Sequence, residues 1–274
     1  MPQDVLVVID TVASIPRRLK LVAALAKQAG IRITGAFVTG LPGSAAFADL
    51  QGWAVMVDAY MTSQRDEAAK AEAAFRSEMG RLKLAGEWLF READLTESVI
   101  TLARLHDLVV LGQPEPSAPV IALRPEEVVL AAGRPVLVIP YAGDFSEIGS
   151  HVLVAWSGTR ESARALHDAM FLIERAETVT VLEVDRPGSD GGAADLSAAD
   201  VVAALKRRGI AAKVEATVSD GTPVADIILS LAADLSADLV VMGAWGHSRL
   251  REFVLGGVSR GILKEMTVPV LMSH

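Results

Sequence analysis

The chain has 274 residues, 51% hydrophobic and 22% charged, a globular balance rather than a disordered one, and at about 150 residues per domain that length suggests two domains. With 26 Lys and Arg against 34 Asp and Glu the net charge is −8, which argues against the counterion release that drives general nucleic-acid binding. Cysteine is absent, which excludes disulfides, thiolate catalysis, Cys-ligated zinc and iron–sulfur clusters and suits a reducing cytoplasm.

In chain order, the first apolar run, Val5 to Ile9, ends at Asp10 with no basic segment before it, too short for a signal-peptide core. No run approaches the ~20 apolar residues that cross a bilayer, so a soluble protein with no membrane partner is expected. Strands are expected at 4–9, 32–38, 86–92, 107–112 and 135–140, with a helix at 64–84. Between them lies an insertion, 39–62, holding Gly40, Pro42, Gly43, Gly52, Trp53, Met56 and Tyr60. It reads as a loop or extra helix covering the sheet edge, with a lid or partner surface as the functional alternative. After a connecting segment, 141–149, strands are expected at 152–156, 178–184, 212–218, 238–243 and 268–273. Helices between them are expected at 160–174, 195–208, 222–235 and about 257–265. The strands are unbroken apolar runs, as in strands buried on both faces of a parallel sheet.

The chain is written twice. Val5-Leu6-Val7-Val8-Ile9-Asp10-Thr11 corresponds to Val152-Leu153-Val154-Ala155-Trp156-Ser157-Gly158. Asp107-Leu108-Val109-Val110-Leu111-Gly112 corresponds to Asp238-Leu239-Val240-Val241-Met242-Gly243, and Pro135-Val136-Leu137-Val138 to Pro269-Val270-Leu271-Met272. The alternation of strands and helices implies an α/β fold of two tandem doubly wound parallel five-stranded sheets with right-handed crossovers. The expected domains are 1–142 and 150–274. A homodimer of whole chains is left open.

Gly243, Gly246, Gly256 and Gly257 follow a late strand and run into a helix. Ligands of doubly wound sheets bind beyond the carboxyl ends of the strands. Residues without Cβ let backbone amides approach phosphate, and a helix N-terminus adds partial positive charge. Ser259 can cap that helix or offer its hydroxyl to phosphate. The spacing is neither that of the P-loop nor that of the dinucleotide fingerprint.

This segment resembles the nucleotide loop of the universal stress protein family, whose motif is Gly, two residues, Gly, nine residues, Gly, then Ser or Thr. Gly243, Gly246 and Gly256 stand at that spacing. The likeness extends to both halves, so the chain resembles a tandem universal stress protein, with an adenine nucleotide alpha hydrolase-like fold. In that family last strands commonly pair across a two-fold axis, so the resemblance implies that 135–140 pairs with 268–273, closing two edges and packing the halves as an internal pseudo-dimer. The resemblance implies a stress-response or signalling module that binds ATP or a related adenine nucleotide in its second half, with Mg2+ able to accompany a triphosphate. Ala155, Trp156 and Ser157 would touch the nucleotide after the first strand, and Val184 would flank the base. Gly243, Gly246, His247, Gly256, Gly257, Val258 and Ser259 would hold ribose and phosphates. Arg249, in the bridging segment, is added on charge alone.

Two positions depart from the family pattern: Gly257 stands where Ser or Thr is usual, and Ser157 where Asp is usual. The first half keeps Asp10 but follows Gly112 with Gln113-Pro114-Glu115-Pro116. Prolines remove amide donors and Glu115 would repel phosphate, so the first half reads as a degenerate, non-binding copy.

Trp156 could stack on a base or simply pack, and His247 could meet phosphate or be structural. The histidines show no metal-ligand spacing, and no nucleophile elbow is present. No general base is placed to activate water, so any ATP hydrolysis is expected to be slow. The alternative reading is a nucleotide-independent interaction scaffold of the same fold, with an unknown protein partner.

Overall fold

The computed structural model describes residues 2–26, 31–40, 53–115, 123–185, 196–244 and 257–274. In the first half these form β1 (Asp4–Ile9), α1 (Ile15–Ala26), β2 (Arg32–Thr39), α2 (Trp53–Leu82), β3 (Gly86–Glu92), α3 (Leu95–Ala103), β4 (Leu108–Gly112), α4 (Pro125–Ala131) and β5 (Val136–Ile139). The second half follows with β6 (His151–Trp156), α5 (Arg160–Asp168), α6 (Met170–Ile173), β7 (Thr178–Asp185), α7 (Ala198–Arg207), β8 (Ala212–Val218), α8 (Val224–Asp234), β9 (Leu239–Gly243), α9 (Gly257–Glu265) and β10 (Val270–Ser273).

The strands join one continuous sheet in the order β3-β2-β1-β4-β5-β10-β9-β6-β7-β8. Every pairing is parallel except β5 with β10, where Leu137 stands opposite Leu271. Each half therefore repeats one five-stranded order, and the antiparallel seam relates them as the resemblance implied. The seam strands are fully buried, so what would be an edge in either half alone becomes core.

The sheet is covered on both faces. Val5, Val7 and Ile9 of β1 belong to an apolar layer shared with α1, α2, α5 and α7, while Leu6 and Val8 belong to the layer shared with α3, α4, α8 and α9. Alternate residues of one strand thus serve two apolar layers, which is why the sequence shows runs rather than alternation. The repeated aspartates work at the opposite end of the sheet from the sites. Asp107 accepts from the amides of Gln3 (2.8 Å) and Asp4 (3.1 Å), and Asp238 from Gly149 and Ser150 (both 2.9 Å). Each ties the start of one strand to the neighbouring strand and satisfies donors that the ladder leaves over.

The structure corrects two expectations. Helix α2 begins at Trp53, inside the insertion expected at 39–62, and runs 30 residues to Leu82; residues 41–52 lie outside the described ones. It docks through Phe75, which sits over Gly35 of β2, where a Cβ would come within 2.5 Å of the ring. Phe75 also meets Trp88 with ring centroids 5.3 Å apart. The single helix expected at 160–174 is two, α5 and α6, broken at Ala169. Among the described residues no helix is long and apolar enough to cross a membrane.

Candidate functional site

The carboxyl ends of β6, β7 and β9 lie side by side because β6 pairs with both neighbours. Helix α9 connects β9 to β10, which run parallel, so its N-terminus must lie at that same end of the sheet. Gly243, at the end of β9, and Gly257, Val258 and Ser259, in the first turn of α9, are thereby brought to one side of the domain. Gly257 is exposed, Val258 half-buried and Ser259 buried. The first-turn amides of a helix have no partner within it and carry its positive end.

The two glycines differ in what they permit. A Cβ on Gly243 would lie 2.4 Å from the Ser162 nitrogen and 2.5 Å from the Glu161 carbonyl carbon. Gly243 therefore lets the start of α5 pack onto the strand. A Cβ on Gly257 would meet nothing within 4 Å, so the space over the first turn of α9 is open on the described side.

At the end of β6, Trp156 is buried, and its Nε1 donates to the Leu196 carbonyl at 2.7 Å. The indole is thus committed to packing, and backbone groups are what Ala155 and Trp156 can offer a ligand. Ser157 Oγ lies 3.2 Å from Thr159 Oγ1, which also caps α5 by accepting from the Ser162 amide at 3.3 Å. Glu161 in that first turn is buried and pairs with Arg160. Burial pushes its carboxyl up, but Arg160, its own amide and Thr159 outweigh this and hold it below the usual range. Val184 is half-buried near the end of β7. Gly246, His247, Arg249 and Gly256 lie outside the described residues.

In the first half the matching positions are built differently. Arg18, 7% exposed, donates to Asp10 Oδ2 at 2.5 Å and also to the Val8 carbonyl. Its guanidinium covers Gly112, so a Cβ there would collide with Nη2. Burial acts against the ionised Asp10, yet Arg18 and hydrogen bonds prevail and keep its pKa below the ordinary value. Gln113, also buried, sends Nε2 across the seam to the carbonyls of Leu263 (3.1 Å) and Lys264 (3.0 Å) at the C-terminal end of α9. Sequence reasoning missed Arg18 and Gln113. A basic residue inside the apolar stripe of α1, eight residues after Asp10, was the available signal for the first.

Residues 150–274 match the model of the universal stress protein family. Those residues are therefore similar to a universal stress protein domain. Universal stress protein Slr1230 of Synechocystis sp. (strain ATCC 27184 / PCC 6803 / Kazusa) is 25% identical, over 79% of this chain and 76% of that protein. A universal stress protein from Archaeoglobus fulgidus DSM 4304 shares the fold across 98% of this chain and 95% of its own, with TM-score 0.71 and 20% identity. A functionally unknown protein from Pseudomonas aeruginosa PAO1 does so over 99% and 92%, with TM-score 0.61 and 15% identity. The α/β fold on both sides of the seam is thus that of known whole-length structures.

Proposed function

We propose that the universal stress protein domain at 150–274 binds ATP or a related adenine nucleotide, and that residues 1–142 form a second domain of the same fold. The observation that carries this reading is the convergence of the β9 end with the first turn of α9. The positive end of α9, the open side of Gly257 and the glycine spacing in the sequence fit a polyphosphate. Mg2+ would come with a triphosphate, held largely by the phosphates themselves. The chain then acts as a stress-response or signalling module in which nucleotide occupancy alters a partner surface. Hydrolysis is secondary to binding.

Calorimetric titration with ATP, ADP and AMP, with and without Mg2+, tests this. Micromolar binding that Gly246→Asp abolishes, by placing a carboxylate against the phosphates, is expected. No heat with any of the three, and no thermal shift, would favour the nucleotide-independent scaffold, a reading favoured by the Ser157 hydroxyl's engagement with Thr159.

A further inference from the structure

The carboxyl ends of β1, β2, β4 and β5 enclose a cavity of about 330 Å3 in the first half, within the size range of small-molecule sites. Its apolar wall comes from Ile9, Phe37, Leu95, Leu123 and Ile139. Helix α2 adds Tyr60 and Gln64, one turn apart and so on the same helical face. Tyr60 stands in the stretch expected to be an insertion, which here becomes part of the cavity wall.

Asp10, Tyr60 and Gln64 offer polar groups to an occupant. The Asp10 side chain is 47% exposed even though Arg18 holds one of its oxygens. The Tyr60 hydroxyl has no hydrogen-bond partner among the described residues. Gln64 Oε1 accepts from Thr39 at 3.2 Å, which leaves its Nε2 without a partner among the described residues. An ionised carboxylate accepts only, whereas a phenol and an amide NH2 can both donate.

Charge narrows the class of ligand. The lining carries Asp10 and Glu115 against Arg17 and Arg18, which cancel. Arg18 is spent on Asp10, and Arg17 Nη1 donates to the carbonyls of Pro140 (3.1 Å) and Tyr141. The Arg18 guanidinium also occupies the space above Gly112, where a backbone cradle for phosphate would have to form. An anion would meet Asp10 and Glu115, and a cation would meet two guanidinium groups.

We propose that this cavity is a second binding site, for an uncharged ring-bearing small molecule with an N–H or O–H donor and a carbonyl-type acceptor. The ring lies against the apolar wall, the donor faces Asp10, and the acceptor takes hydrogen bonds from Tyr60 and Gln64. The first half is then a copy whose ligand class has changed, rather than one that has lost binding.

Benzamide, benzoate and benzamidine share nearly one shape and differ in charge, so saturation-transfer NMR on the full chain with each tests the proposal. Transfer to benzamide should exceed that to both charged analogues several-fold. Ala13→Trp, at an exposed position on the cavity rim, should abolish it while circular dichroism stays native. Tyr60→Phe, which keeps the shape, should weaken binding by about three- to tenfold. No transfer to benzamide, preference for either charged analogue, or transfer unchanged in both variants would overturn the proposal. Heat from ATP should be the same in Ala13→Trp as in the parent chain, so this site and the nucleotide reading stand or fall separately.

Discussion

The side-chain amide of Gln113 in the first half donates to the main-chain carbonyl of Leu263 in the second, 3.1 Å away and buried. The same amide reaches Lys264 O, and Gln113 Oε1 accepts from the Tyr141 amide at 3.2 Å. The last carbonyls of a helix have no partner within it, so a residue of one half caps the helix whose other end faces the candidate phosphate site.

Gln113→Ala removes that cap and leaves buried carbonyls unsatisfied. At about 1–3 kcal/mol for such groups, the variant should unfold at clearly lower denaturant concentration. Stability equal to that of the parent chain in a urea titration would mean that the contact contributes little.

Gly243→Ala tests whether this glycine serves packing. Its Cβ would press on main-chain atoms of Glu161 and Ser162, which cannot rotate away. Overpacking of this kind costs about 1–3 kcal/mol, and a fall in thermal midpoint without any nucleotide present is the expected result.

Gly257→Ser should behave in the opposite way. Open space surrounds the position, and Gly is a poor helix residue by about 0.5–1 kcal/mol. The variant should be at least as stable as the parent chain and should bind ATP more tightly, because it restores a phosphate-facing hydroxyl. Calorimetry on the two proteins side by side measures both effects.

Asp10 predicts an acid dependence. Its folded pKa is depressed, so its contribution is complete above the unfolded value of about 3.9 and is lost as pH falls through the folded value. Asp10→Asn should therefore flatten the loss of stability below about pH 4. At neutral pH it should cost about 2–3 kcal/mol, less than the 3–5 of a fully buried pair, since Asp10 is 47% exposed. Denaturant midpoints across pH 2.5 to 7, as approximate limits, read the difference between the two proteins.

The fold was legible because parallel strands buried on two faces leave unbroken runs such as Val5 to Ile9, and because the chain repeats them. The seam was expected from the family resemblance, in which final strands pair across a two-fold axis, with the repeat supplying two matching strands. Less was legible where tertiary contact overrides local pattern. Trp53 to Tyr60 sit among residues of mixed polarity, and Val55 and Met56 stay exposed on the helix, so no apolar stripe marks its start. Gly243 carries the family spacing, yet the neighbour that would clash with its Cβ is the backbone of α5, far away in sequence. Trp156 stands at the expected strand end, but its partner, Leu196, is 40 residues on.

Hydrogen exchange of backbone amides, with and without ATP and Mg2+, tests the central claim most directly. Nucleotide held at the start of α9 should slow exchange at 257–260 and leave the ends of β1 and β4 in the first half unchanged. Unaltered exchange at 257–260 under saturating ATP, or protection confined to the first half, would contradict a nucleotide site in the second half.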